Sequence, residues 1–240
     1  MKDCQEWSLA FDQLYNNISS NKAPGLDEYE KSVFLTDAQE AIVIGVYNGS
    51  FGKPFESTED VANFLAPLVR QADLELSDDA VLNEMRVDKI NGKIYKLPSD
   101  KDEILFRTLE LCVLKNDCDV NGNRAIVVPV TQDEYWRTFN DPFKTCNHHR
   151  VLRLIFSKSE SNSGTLDIHK YTELISKIPI MSYTVRYISR PEPIILADDL
   201  EERGLTIHGK KDQQTCLLDE AIHQAILSEA VRLAKEAWNN

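Results

Sequence analysis

The sequence predicts an α+β fold: a helical bundle formed by the N- and C-terminal segments, with a β-rich module inserted between them. Three observations carry this reading. Apolar residues near the start (Trp7, Phe11, Leu14, Tyr15 and Ile18) recur at helical spacing. The middle of the chain changes to short apolar runs separated by Asn91-Gly92 and Asn121-Gly122, which are hairpin turn signals. The closing stretch from Cys216 to Asn240 returns to helical spacing, with Leu218, Ile222, Ile226, Val231, Leu233 and Trp238 on one stripe. The expected organisation is an N-terminal helical part over residues 1–80, a β-rich inserted module over 81–200, and a segment over 201–240 that completes the bundle.

Taken in order, the first helix is expected to end near Ser20, because Asn21-Lys22-Ala23-Pro24-Gly25 cannot continue it. A short helical segment follows from Asp27 to Phe34, and Thr36-Asp37-Ala38-Gln39 fits a capping box that starts a new helix reaching Tyr47. Ser57 is the expected N-cap of the next helix, with Val61, Phe64, Leu65, Leu68 and Val69 on its buried face and Pro67 as a point of kinking. A hairpin is expected around Asn91-Gly92, and strands over 104–114, 124–130, 151–156 and 183–188. Residues 131–139 are expected to form a short helix, and the polar stretch Ser157–Gly164 an exposed hairpin tip or loop.

Composition excludes several classes of function. With 42% hydrophobic and 28% charged residues in 240, the chain is an ordinary globular sequence long enough to bury a core. Its apolar runs, such as Ala125 to Val130, are far shorter than the roughly 18–20 residues a membrane span needs, so no membrane partner is expected. Met1 to Glu6 lacks the basic start of a secretory signal, which predicts synthesis in a cytoplasm. Five cysteines, at 4, 112, 118, 146 and 216, are odd in number and scattered, and read as free thiols of a reducing compartment. A formal net charge of −12 opposes wrapping nucleic acid, because phosphate binding relies on clustered Lys and Arg.

The residues that invite a chemical reading each have a plainer one. Asp117-Cys118-Asp119-Val120-Asn121-Gly122 matches the opening of a calcium-binding loop, but its twelfth position is Val128 rather than Glu, and a polar hairpin turn fits better. Cys146, His148 and His149, with Cys112 and Cys118 elsewhere, match no standard zinc spacing and lack an oriented base or oxyanion site. His223 suits a hydrogen-bonded structural or interface role. The nine glycines form no phosphate-binding loop. No enzyme activity, metal or cofactor is expected. Carboxylate runs such as Asp198-Asp199-Leu200-Glu201-Glu202 read as solvated faces, with a DNA-repelling lumen as their alternative use.

Several longer stretches carry a family resemblance. Leu14-Tyr15-Asn16-Asn17-Ile18, the run Ala23 to Thr36, Asn140-Asp141-Pro142-Phe143-Lys144, Tyr183 to Ile188 with Arg190 to Ile195, and His223 with Ile226-Leu227 and Ala230 to Ala234 stand in the order of family landmarks. In them the chain resembles the head-to-tail connector (adaptor, ring) proteins of tailed bacteriophages of the crAss-like, Bacteroidales type. The stretch from Pro193 to Leu218 departs most from that pattern.

The resemblance implies a structural virion protein without catalytic residues: a ring, typically of twelve copies, that docks on the portal and extends the DNA channel toward the tail. The implied partners are further copies of the chain, the portal protein and other neck or tail rings, with DNA passing through the lumen without specific binding. The implied location is the virion neck, after assembly in the host bacterial cytoplasm. Trp7, Phe11, Tyr29, Tyr187, His223 and Trp238 are the candidate interface residues. The alternatives are another neck, tail or cargo protein of the virion and, less favoured, a Cys/His metal-dependent enzyme.

Overall fold

A computed structural model of the chain describes residues 3–18, 25–50, 59–88, 91–98, 103–116, 119–162 and 165–239. It is α+β, and it separates into two compact units: Met1–Leu68 with Arg190–Asn240, and Val69–Ser189.

In the first unit, helix α1 (Cys4–Ile18) is capped by Asp3, whose Oδ1 accepts the Glu6 amide at 2.7 Å while Glu6 returns the bond to the Asp3 amide. Helix α2 is a single helix, Glu28–Asn48, not two. Its capping box is Asp27 with Glu30, and Gly49 closes it in the left-handed conformation. The box expected at Thr36 does not form because Thr36 and Ser32, one turn apart, point into the unit and bond another segment. Thr36 Oγ1 donates to the Ile194 carbonyl and accepts the Ile194 amide at 3.1 Å. Ser32 Oγ accepts the Leu196 amide at 2.8 Å. Two hydroxyls thus supply bonding partners to buried irregular chain, where unmet groups are costly.

Helix α3 (Glu59–Leu65) passes through a 3-10 turn, Ala66–Leu68, instead of continuing to Val69 with a kink. Pro67 lacks the amide that an extended α-helix would need there. Its proposed cap, Ser57, lies outside the described residues. The short helix α6 (Leu200–Arg203) belongs to this unit, and Leu200 joins Ile195, Ala197 and Ile207 in a small core against Tyr29 and Val33. Helix α7 (Glu220–Asn239) packs against both α1 and α2. Its buried face is Ile222, His223, Ile226, Leu227, Ala230, Val231 and Ala234, while Leu233 is only half-buried.

The second unit carries a seven-stranded sheet of β1 (Val69–Asp73), β2 (Lys93–Lys96), β3 (Ile104–Asn116), β4 (Asp119–Pro129), β5 (Arg150–Asn162), β6 (Thr165–Ile175) and β7 (Ile180–Ser189). The strand order is β1-β7-β3-β4-β5-β6-β2, with only β4 and β5 parallel. The segment that continues β1 bonds β2, through Lys96 N to Glu75 O and Ser77 N to Ile94 O, so the sheet curls. Its concave side holds Tyr95, Cys112, Leu114, Val151, Leu174, Tyr183, Val185 and Tyr187. Part of the outer side is covered by helix α5 (Tyr135–Asn140), with Tyr135, Cys146, Leu152, Leu154 and Ile175 buried beneath it.

Several expectations need correction here. Asn91-Gly92 turns no hairpin: helix α4 (Ala80–Glu84) precedes it, and β2 pairs with β6. Strand pairing begins at Val69, not near 81, and β6 is a strand to which the sequence reading gives no range. Ser157 to Asn162 is strand and pairs antiparallel with Thr165 to Lys170, so most of the stretch expected as a hairpin tip or loop belongs to the hairpin's own strands. The β3–β4 connection falls before Asp119, and Asn121 and Gly122 lie within β4. Gly122 has φ +71°, and a Cβ there would stand 2.5 Å from the Leu114 carbonyl oxygen. Only glycine fits this distortion, which sits beside a register shift between Leu114 and Asn116.

Candidate functional site

Most of the aromatic interface candidates are occupied within the protomer. Trp7 on α1 and His223 on α7 face each other with ring centroids 5.0 Å apart, both buried. The His223 Nε2 also lies 3.0 Å from the Leu218 carbonyl oxygen. Phe11 is buried and stacks on Tyr15, and Tyr187 on β7 belongs to the concave core of the sheet. Tyr29 is half-buried against the Ile195–Leu200 core, with the Arg203 guanidinium 5.8 Å from its ring centre. Trp238 stands in the last turn of α7, and its side chain lies outside the described residues.

The chemical candidates are not brought together. Cys146 is buried beneath α5, while His148 and His149 are exposed on the following turn. Cys112 belongs to the opposite face of the sheet, and burial pushes its thiol up to about 12. Burial likewise raises Cys216, to about 11. Such thiols are poor nucleophiles and poor ligands. Among the described residues no three His, Cys, Asp or Glu side chains are arranged to hold a metal. Asp119 and Asn121 of the calcium-like motif lie in a strand, and Cys118 lies outside the described residues.

What the molecule does offer is surface that the sequence did not point to. Strand β3 bonds β7 from Ile104 to Leu114, but among the described residues it pairs with β4 only from Cys112 to Asn116. From Ile126 onward β4 instead bonds β5. The two strands therefore fork, and Arg107–Leu111 and Arg124–Val127 line an open groove of about 420 Å³. Leu109 and Ile126 stand on its walls, 56% and 71% exposed.

The floor of this groove is charged. Arg153 forms an ion pair with Glu110, whose second oxygen accepts the Tyr183 hydroxyl at 2.8 Å. Arg107 donates to Thr172 Oγ1 at 2.7 Å. The Nε–H groups of Arg107 and Arg153 are buried and have no acceptor among the described residues. Burial first, then the neighbouring Arg153, pulls the Arg107 guanidinium below its ordinary pKa. Arg124 also lines the groove and is exposed, so arginines outnumber the one glutamate there. A faint sign of the fork was present in the sequence: Pro129, at the end of β4, is a residue that strands tolerate where one side lacks a partner.

Two further large apolar side chains, Trp136 on α5 and Phe143 after it, are open to solvent. Phe143 is held in place, because its amide donates to Asp141 Oδ1 at 2.8 Å and its carbonyl accepts from Arg150 at 2.8 Å. These features are suited to protein contact rather than to chemistry.

Comparison with known proteins agrees with a contact-making role. The phage tail ring protein 3/4 family matches residues 2–240. The chain is 37% identical to "Ring protein 3" of Bacteroides phage crAss001 over 236 residues, covering 96% of this chain and 94% of the relative. It is 35% identical to "Ring protein 4/5" of the same phage over 237 residues, covering 97% and 92%. The class is thus that of structural phage proteins, as the resemblance in the sequence implied. The chain belongs to the phage tail ring protein 3/4 family.

Proposed function

We propose that the protein is a structural subunit of a ring in the neck or tail of a tailed bacteriophage virion, acting by repeated contact with copies of itself and with adjoining rings. The observation that supports this most directly is the family match over residues 2–240, shared with two relatives that are both ring proteins. In the finer reading, about twelve copies close head to tail, the ring docks on the portal, and its lumen continues the DNA channel. In this reading helices of the amino-terminal half form the wall, the carboxy-terminal segment reaches the portal or the next ring, and the β-rich module projects outward or toward tail components. The net charge of −12 supports passage of DNA without adhesion.

The chemistry of the protomer supports a structural role as well. Its buried thiols are engaged in packing and Arg153 and Glu110 in an ion pair, and no helix among the described residues is long and apolar enough to cross a membrane. The reading is tested by sedimenting the purified protein with and without the portal ring of its phage. Co-sedimentation at a fixed ratio supports the connector role. Rings that ignore the portal would place the protein elsewhere in the neck or tail, or make it a different virion component.

A further inference from the structure

We infer that the fork between β3 and β4 is an inter-subunit socket that accepts an extended, carboxylate-bearing segment from a second copy of the chain. This rests on the ring reading and names the surface through which the ring is joined.

The backbone supplies the first argument. An open strand edge in a soluble protein is normally blunted by charge, proline or a covering element, because it templates pairing with other chains. On the β4 side the fork is blunted. The amides of Ile126 and Val130 bond β5, to the carbonyls of His149 and Arg153, so by alternation Val127 and Pro129 face the fork, and Pro129 has no N–H to give. On the β3 side, Arg107 to Leu111 contains no proline or glycine, and its wall residue Leu109 is exposed. An incoming strand meets the longer free edge on β3, and opposite it the exposed Ile126 with Val127 as the one residue of the β4 wall that turns its N–H to the groove. Main-chain bonds to such an edge supply affinity, and the side chains beside it supply selection.

Charge selects the occupant. Arg107 and Arg153 lie at Glu110 and Arg124 is an exposed lining residue of the groove, and the Nε–H groups of Arg107 and Arg153 are buried without an acceptor among the described residues. An Asp or Glu side chain entering the groove would meet a guanidinium surplus already partly desolvated, where a charge-assisted pair is strong. A chain with 39 acidic against 27 basic residues is rich in such segments. In a closed ring each subunit uses different patches on its two neighbours, so one socket per protomer can be filled by one donor from the next.

The test is hydrogen–deuterium exchange on the full-length protein, as isolated protomer and as assembled ring, read at the amides of 107–111. The socket predicts exchange slowed about tenfold or more on assembly. It also predicts that Arg124→Glu, a change at an exposed rim position, raises the protein concentration needed for assembly about tenfold, while leaving the protomer's circular dichroism unchanged. A ring whose 107–111 amides exchange as fast as in the protomer overturns this inference and leaves the ring reading intact. So does protection that appears only when a different tail protein is added, which would assign the socket to that partner. A chain that stays monomeric under all conditions overturns both.

Discussion

Glu173 shows how a single residue can be placed against its own chemistry. It lies in β6, almost fully buried, with one carboxylate oxygen accepting the Val87 amide at 2.9 Å. Burial raises its pKa above the ordinary carboxyl value, and the backbone bonds and Arg86 offset this only in part. Below the ordinary carboxyl range both folded and unfolded states are protonated, and the residue costs nothing. As pH rises through the raised folded value, the unfolded chain ionises first and stability is lost. Glu173→Gln is therefore expected to be more stable than the parent near pH 7, with the advantage shrinking toward about pH 4, as read by urea unfolding across that range. Gly122 offers the converse case. Gly122→Ala puts a Cβ against the Leu114 carbonyl at positive φ, and is expected to cost about 1–3 kcal/mol in the same measurement.

Among the elements, α2 is the one whose reading changed most. Its sequence suggests two helices because Thr36 with Gln39 matches a capping box, yet the hydroxyls of Thr36 and of Ser32 one turn earlier bond the backbone of 194–196, more than 150 residues away. No local pattern reports a partner at that distance. Replacing both by Ala is expected to leave the Ile194 and Leu196 amides unmet, at about 1–3 kcal/mol each, and to speed their hydrogen exchange. Asp27→Ala, which removes the true cap, is expected to cost about 1 kcal/mol. The ends of the chain were legible because α1 and α7 each bury one face, which leaves a helical period in the sequence. β6 is hard to read because its second half, Tyr171 to Ile175, is buried on both faces: Leu174 serves the concave core and Ile175 the core beneath α5. That removes the alternation by which a half-buried strand is recognised. The fork was missed for a related reason, since it arises from how β3 and β4 part and not from the composition of either. Deleting 216–240 removes α7 from its contacts with α1 and α2, so it is expected to unfold the helical unit, visible as lost helical circular dichroism. Failure of that variant to assemble would thus report folding as much as contact.

For the molecule as a whole, the protomer spends most of its aromatic residues on itself. Trp7, Phe11, Tyr187 and His223 build the cores of the units, while the surface available for neighbours is a forked sheet, the exposed Trp136 and Phe143 and an acid-rich exterior. This division suits a subunit that folds first and assembles afterwards, through exposed features that need not be buried for the protomer to be stable. Assembly by such contacts should respond to ionic strength, because the guanidinium-rich groove and a net charge of −12 are screened by salt. The most direct measurement is native mass spectrometry of the purified 27.4 kDa chain, alone and with its portal ring. The ring account predicts a single closed species at a high, fixed multiple of the chain mass, alone or on the portal. A chain that remains monomeric in both samples would contradict it.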